Sequence, residues 1–158
     1  MTQSKRLGYH GRYNLLSTVV KDSFSFNTIA RVVTGRHWAK LADKQRDSFK
    51  QLFRKLSAAT YATNFAEFSG EHFETFKVAK HRSGVVVKTA LVTSEGEQIP
   101  IHYLLQTDDN KWLIVNVIAQ GVSDLSLKRA DYTSVLDKEG FDSLMERLNA
   151  KISTLESQ

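Results

Sequence analysis

The sequence predicts an α+β fold, a curved four-stranded antiparallel meander wrapped by helices from both ends of the chain. Three observations carry this. Apolar residues recur at helical spacing before Gly70 and again after Gly121. Between those glycines the apolar period drops to two. Three short breaks rich in turn formers divide that stretch: Arg82-Ser83-Gly84, Glu95-Gly96-Glu97 and Asp108-Asp109-Asn110.

The elements follow in order. Tyr13, Leu16, Val20 and Phe24 form the first helical stripe, with Leu15 and Val19 beside it. Phe26, Ile29, Ala30 and Val33 repeat the pattern, and Gly35 is placed to stop that helix. A long helix is expected over 43–67, with Asp43 as its cap in place of Ala42. Its stripe is Phe49, Leu52, Phe53, Leu56 and Thr60, with Tyr61, Phe65 and Phe68 further round. Four strands are expected at about 71–81, 84–94, 98–107 and 111–120, joined by loops too short for anything but antiparallel neighbours. Val85, Val87 and Leu91 share a face of the second; Ile99, Ile101, Tyr103 and Leu105 share a face of the third, opposite His102 and Gln106. Strict alternation in the fourth puts Trp112, Ile114 and Ile118 on one face and Leu113, Val115 and Val117 on the other, so both faces need cover. Leu125, Tyr132, Val135 and Leu136 line a further helix ending near Gly140, and Phe141, Leu144, Met145, Leu148, Ile152 and Leu155 line the last.

Composition narrows the function classes. The 158 residues weigh 17.9 kDa, are 41% apolar and 25% charged, and contain one proline, which fits a single domain over 1–158. The longest apolar run, Trp112 to Val115, falls far short of the roughly 18 residues a membrane span needs. Met1–Arg6 is not followed by an apolar stretch, so an exported protein would be represented here without its leader. A net charge of +5 favours anionic partners, but no basic run marks a nucleic-acid stripe, and none is expected. Without cysteine there is no disulfide or thiolate metal site.

Catalytic patterns are missing. His10, His37, His72, His81 and His102 show no metal-ligand spacing, and no GxSxG, GxxxxGK[ST] or GxGxxG motif occurs. Asp108-Asp109-Asn110 lacks the alternation of a calcium loop and reads as a turn. No cofactor is expected. The aromatic cluster Phe49, Phe53, Tyr61, Phe65, Phe68, Phe73 and Phe76 fits either core packing or an apolar ligand cavity.

Several segments resemble one family. Asn27–Trp38, with Ala-Arg-Val-Val-Thr-Gly-Arg-His-Trp, is similar to its M-A-R-x-V-L-G-R-x-W segment, and Phe49–Tyr61 to the helix that follows. Ile99–Leu105, Trp112–Val117 and Gln120–Ser123 are similar to its V-x-Y-x-L, W-x-V-x-D-V and G-V-S core. This is the MlaC or toluene-tolerance family of periplasmic lipid carriers. Ser123–Leu136 and Gly8–Tyr13 resemble its hopanoid-biosynthesis branch, HpnM. The resemblance covers about residues 8–156, with Asn116 standing where the family has Asp. It implies a leader and more of the first helix ahead of residue 1, and a cone-like fold related to nuclear transport factors. It further implies hopanoid or phospholipid cargo, an inner-membrane transporter of ABC or RND type, an outer-membrane complex, transient membrane contact, and no enzyme activity.

On this reading the cavity lining comprises Ile29, Val33, Phe53, Leu56 and Tyr61 from the helices, with Val87, Leu91, Ile101, Tyr103, Leu105, Val115 and Val117 from the strands. Docking falls to Arg31, Arg36 and Lys40 after the second helix and to Lys128 and Arg129 at the first C-terminal one. Two alternatives stand beside it: an isomerase-like enzyme pairing Tyr103 with Asn116, and an adaptor of a transporter complex that binds no lipid.

Overall fold

The computed structural model describes residues 3–67 and 69–157, with side chains from Leu7 onward; Phe68 lies outside the described residues. Helix α1 (Gln3–Ser23) is broken at Gly8, whose φ of 61° and ψ of −178° are not helical. Val20 is buried, while Leu15 and Val19 on the flanks of its stripe are exposed. Helix α2 (Phe26–Thr34) stops where expected, because Gly35 at φ 56° takes a left-handed conformation and leads into a 3-10 turn (Gly35–Lys40). Helix α3 (Asp43–Asn64) ends earlier than the pattern suggested. Its start also differs: Ala42 holds the cap position, its N–H donates to Gln45 Oε1 at 3.0 Å, and Asp43 instead pairs with Arg46.

Strands β1 (His72–His81), β2 (Gly84–Val92), β3 (Gln98–Asp108) and β4 (Lys111–Ala119) form the expected meander in sequence order. The sheet has a fifth member, β5 (Val122–Ser123), where four were expected. Gln120 and Gly121 both take positive φ, 51° and 80°, which turns the chain tightly back onto β4. Gln-Gly is a weaker turn signal than Asn-Gly, and two residues are too few to show a period. Helices α4 (Asp124–Lys138) and α5 (Gly140–Glu156) complete the chain.

A bulge corrects the face assignment in β4. Leu104 opposes Asn116 but Leu105 opposes Ile114, leaving Val115 as the extra residue. Trp112 and Ile114 therefore share a face with Val117, not with Ile118, because one inserted residue flips all that follow.

The core is helical. Phe26, Ile29, Val33, Phe49, Phe53 and Leu56 pack with Tyr132, Val135, Leu144, Leu148 and Ile152. Phe49 stacks on Phe53 at 5.8 Å between ring centroids, and Tyr132 meets both edge-on at 6.2 and 6.1 Å. Among the described residues the sheet joins this core chiefly through β4, on which α1, α2 and α4 all pack, whereas the substantial contacts of β1 and β2 are strand to strand. Among the described residues, no helix is long and apolar enough to cross a membrane.

Candidate functional site

Residues directly opposed across antiparallel strands share a face. The register Val85–Leu105, Val87–Tyr103, Leu91–Ile99, Tyr103–Val117 and Leu105–Ile114 therefore assembles one aliphatic surface across β2, β3 and β4, with Thr89 and Ile101 in the middle. Apart from buried Thr89, these side chains are half-buried, neither packed away nor fully wet. That intermediate state marks a surface whose cover is incomplete. On the opposite face Lys88 opposes His102 and Ala90 opposes Pro100, so the alternation is apolar on one side and mixed on the other.

The helical side of this surface is aromatic. Phe24 bridges to Ile114, and the Ser25 N–H donates to the Ile114 carbonyl at 2.9 Å, tying the α1–α2 junction to β4. The Tyr61 ring lies 6.0 Å from Phe24 and stacks on Phe65 at 6.1 Å. Burial pushes the Tyr61 phenol well above its ordinary value, and the Tyr103 phenol and Asp124 carboxylate lie near enough to reinforce this. Tyr103 is raised too, by burial alone. Both phenols stay neutral at physiological pH. The rim is exposed apolar surface: Phe65, Phe73, Val78 and Trp112 are 38%, 47%, 61% and 52% exposed.

The expected lining residues divide three ways. Tyr61, Val87, Leu91, Ile101, Tyr103, Leu105 and Val117 meet at this surface. Ile29, Val33, Phe53 and Leu56 do not; they are packed into the closed helical core, with Val33 wholly inaccessible. Val115 is buried at the bulge. Sequence reasoning missed Phe24 and Ile114. Phe24 continues the first helical stripe but lies just past the end of α1, where it bridges to β4, and the bulge turns Ile114 onto the face that strict alternation gives to Val115 and Val117.

Asn116 is structural. Its Oδ1 accepts from the Leu125 N–H at 3.2 Å, and its amide lies 3.0 Å from the Ser123 hydroxyl, which in turn caps α4 by accepting from the Ser126 N–H at 3.1 Å. A neutral amide meets every one of these demands. Asn116 opposes Leu104 while Tyr103 opposes Val117, so Tyr103 and Asn116 sit on opposite faces of the sheet. The acid–base pairing that an isomerase-like alternative requires is not assembled.

The family model described as MlaC protein matches residues 2–150. The chain belongs to the MlaC family. It is 21% identical over 149 residues to the intermembrane phospholipid transport system binding protein MlaC of Haemophilus influenzae, covering 89% of this chain and 70% of that protein. Its fold is that of a phospholipid-binding protein from Ralstonia solanacearum solved in complex with a phospholipid. The TM-score is 0.84 at 17% identity, over 96% of this chain and 86% of that one.

In this MlaC-family chain the expected docking cations gather around the 3-10 turn and α4, largely in internal contacts. Arg36 and His37 both reach Asp137 Oδ1, at 2.8 and 2.6 Å. Lys128 pairs with Asp124, and Arg129 Nη1 donates to the Val32 carbonyl at 3.1 Å. Arg31 lines a separate polar cavity of about 270 Å³ with Ser25, Asn27, Thr28, Gln106, Thr107 and Asp108. Lys40 is exposed at the end of the turn.

Proposed function

We propose that this chain is a periplasmic lipid carrier that holds an acyl chain against the apolar face of β2–β4 and ferries it between inner and outer membranes. The observation that carries the reading is the continuous half-buried aliphatic face bounded by Tyr61 and Phe24. Family membership and the phospholipid-binding relatives support it. The physical need is plain. Each methylene left in water costs about 0.8 kcal/mol, so an acyl chain of ~16 carbons cannot cross the aqueous gap without losing on the order of 12 kcal/mol. A sheet face that substitutes for water removes that barrier and requires no bond-making step. The carrier is loaded and emptied by an inner-membrane transporter of ABC or RND type and an outer-membrane complex.

Phospholipid is the first cargo. The resemblance of Ser123–Leu136 to the hopanoid branch makes a hopanoid the second. Native mass spectrometry of the protein purified from its own host tests both. A bound mass equal to a phospholipid or a hopanoid is expected. Protein that carries neither, and takes up neither from added vesicles, ends the carrier reading.

A further inference from the structure

The charge of this protein is distributed unevenly between its halves. Among the described residues, the Lys and Arg ion pairs lie on the helices and the turn after α2: Arg36 with Asp137, Arg46 with Asp43, Lys50 with Asp47, Lys128 with Asp124 and Arg147 with Glu139. Lys77, Lys80, Arg82 and Lys88, on the β1–β2 hairpin, take no part in them. The only acid within His72–Val92 is Glu74, and it lies 3.3 Å from His72. Lys77 opposes Lys88 directly across the two strands. Like charges in that position repel, and an external anion would relieve them.

The same hairpin carries exposed apolar side chains. Phe73, Phe76 and Val78 on β1 are 47%, 55% and 61% exposed. Among the described residues β1 is an edge of the sheet, paired only with β2. Its register slips between Thr75 and Lys77, which makes Phe76 the extra residue of a bulge. A bulged, lysine-bearing edge is poorly suited to receive another strand. Lys80 shares the face of Phe73 and Val78, whereas Lys77 and Lys88 stand on the other. An edge-on approach therefore sets cations on both sides of the apolar side chains, which suits a different partner, the interface of an anionic bilayer. Phe73 opposes Leu91 and Val78 opposes Val87, so the edge is continuous with the apolar face of the candidate site.

We propose that the β1 edge and the β1–β2 hairpin dock this protein on an anionic lipid surface. Phe73, Phe76 and Val78 enter the headgroup boundary, and Lys77, Lys80, Arg82 and Lys88 lie against lipid phosphates. The proposal rests on the carrier reading for its purpose only, since docking and lipid loading are separately measurable.

Flotation with vesicles of phosphatidylcholine alone, or with added phosphatidylglycerol, tests it. The protein is expected to float with phosphatidylglycerol vesicles at low salt and to be released at high salt. The paired change Phe73→Ser and Phe76→Ser should lower partition by about tenfold or more, because the aromatic area no longer leaves water. Changing Lys77, Lys80, Arg82 and Lys88 to Gln keeps every apolar group and should abolish the salt dependence. Arg147→Gln, on the helical half, should partition as wild type. Equal partition of wild type and both hairpin variants, or binding that ignores phosphatidylglycerol, overturns the proposal. So does binding to an acidic protein without binding to vesicles. Bound lipid, followed by mass in the same samples, reports on the carrier reading independently: hairpin variants that lose vesicles but keep lipid uphold both.

Discussion

Val87 and Phe53 are both apolar, and a hydropathy pattern does not distinguish them. Phe53 is 3% exposed, stacked on Phe49 and met edge-on by Phe26 and Tyr132. Val87 is half-buried in an aliphatic face with no substantial helix contact on its strand. Their substitutions should therefore fail differently. Phe53→Ala leaves a cavity in a close-packed core and should cost about 3–5 kcal/mol in urea denaturation, while the folded fraction keeps its bound lipid. Val87→Asp sets a carboxylate that water still reaches, so stability should change little, but an acyl chain pressed on that face would strip the charge of its hydration. The expected result is a folded protein without lipid in native mass spectrometry. A lipid-loaded Val87→Asp protein would remove the β2–β4 face from the site.

At the scale of elements, the junction of the 3-10 turn with α4 has a titratable tie. Asp137 is held below the usual aspartate value, chiefly by the hydrogen bond from Arg36, then by that from His37. A carboxyl depressed in the folded state contributes stability above its unfolded value and loses it as pH falls through its folded value. The Asp137 carboxyl resonance should thus titrate below a typical aspartate. In Arg36→Gln its midpoint should move up toward the ordinary value; an unmoved midpoint would mean that the pair does not persist in solution. The elements themselves were legible to very different degrees. The stripes of α2, α3 and α5 and the turn residues between strands carry strong local signals, and those elements lie where the sequence placed them, apart from the earlier end of α3. The bulge at Val115 was not legible, because β4 is apolar on both faces and either register satisfies its hydropathy. The same ambiguity hid the line between core and site. Ile29, Val33, Phe53 and Leu56 satisfy the stripe of a cavity wall and of a closed core equally, and only the tertiary packing of α4 and α5 decides between them.

The whole molecule consists of a closed half and an open half. Helices bury the large aromatic residues against one another, while the sheet is joined to them through β4 and extends β1–β3 outward with one apolar face part-covered. Local stability follows buried apolar contact, so amides of β1 and β2 should exchange faster than those of α3 and α5 in lipid-free protein. A ligand that binds only the folded state adds about 2.7 kcal/mol at a hundredfold excess over its dissociation constant, or roughly 5–10 °C in Tm for a chain of this size. If the apolar face is where lipid lies, that gain must appear where the missing contacts are supplied. Hydrogen exchange with and without added phospholipid should show slowing concentrated in Val85–Leu91 and Ile99–Leu105, with Phe49–Leu56 changed little. Slowing confined to the helical core, with the strands unaffected, would place the lipid elsewhere and return the aliphatic face of the sheet to a plain structural role.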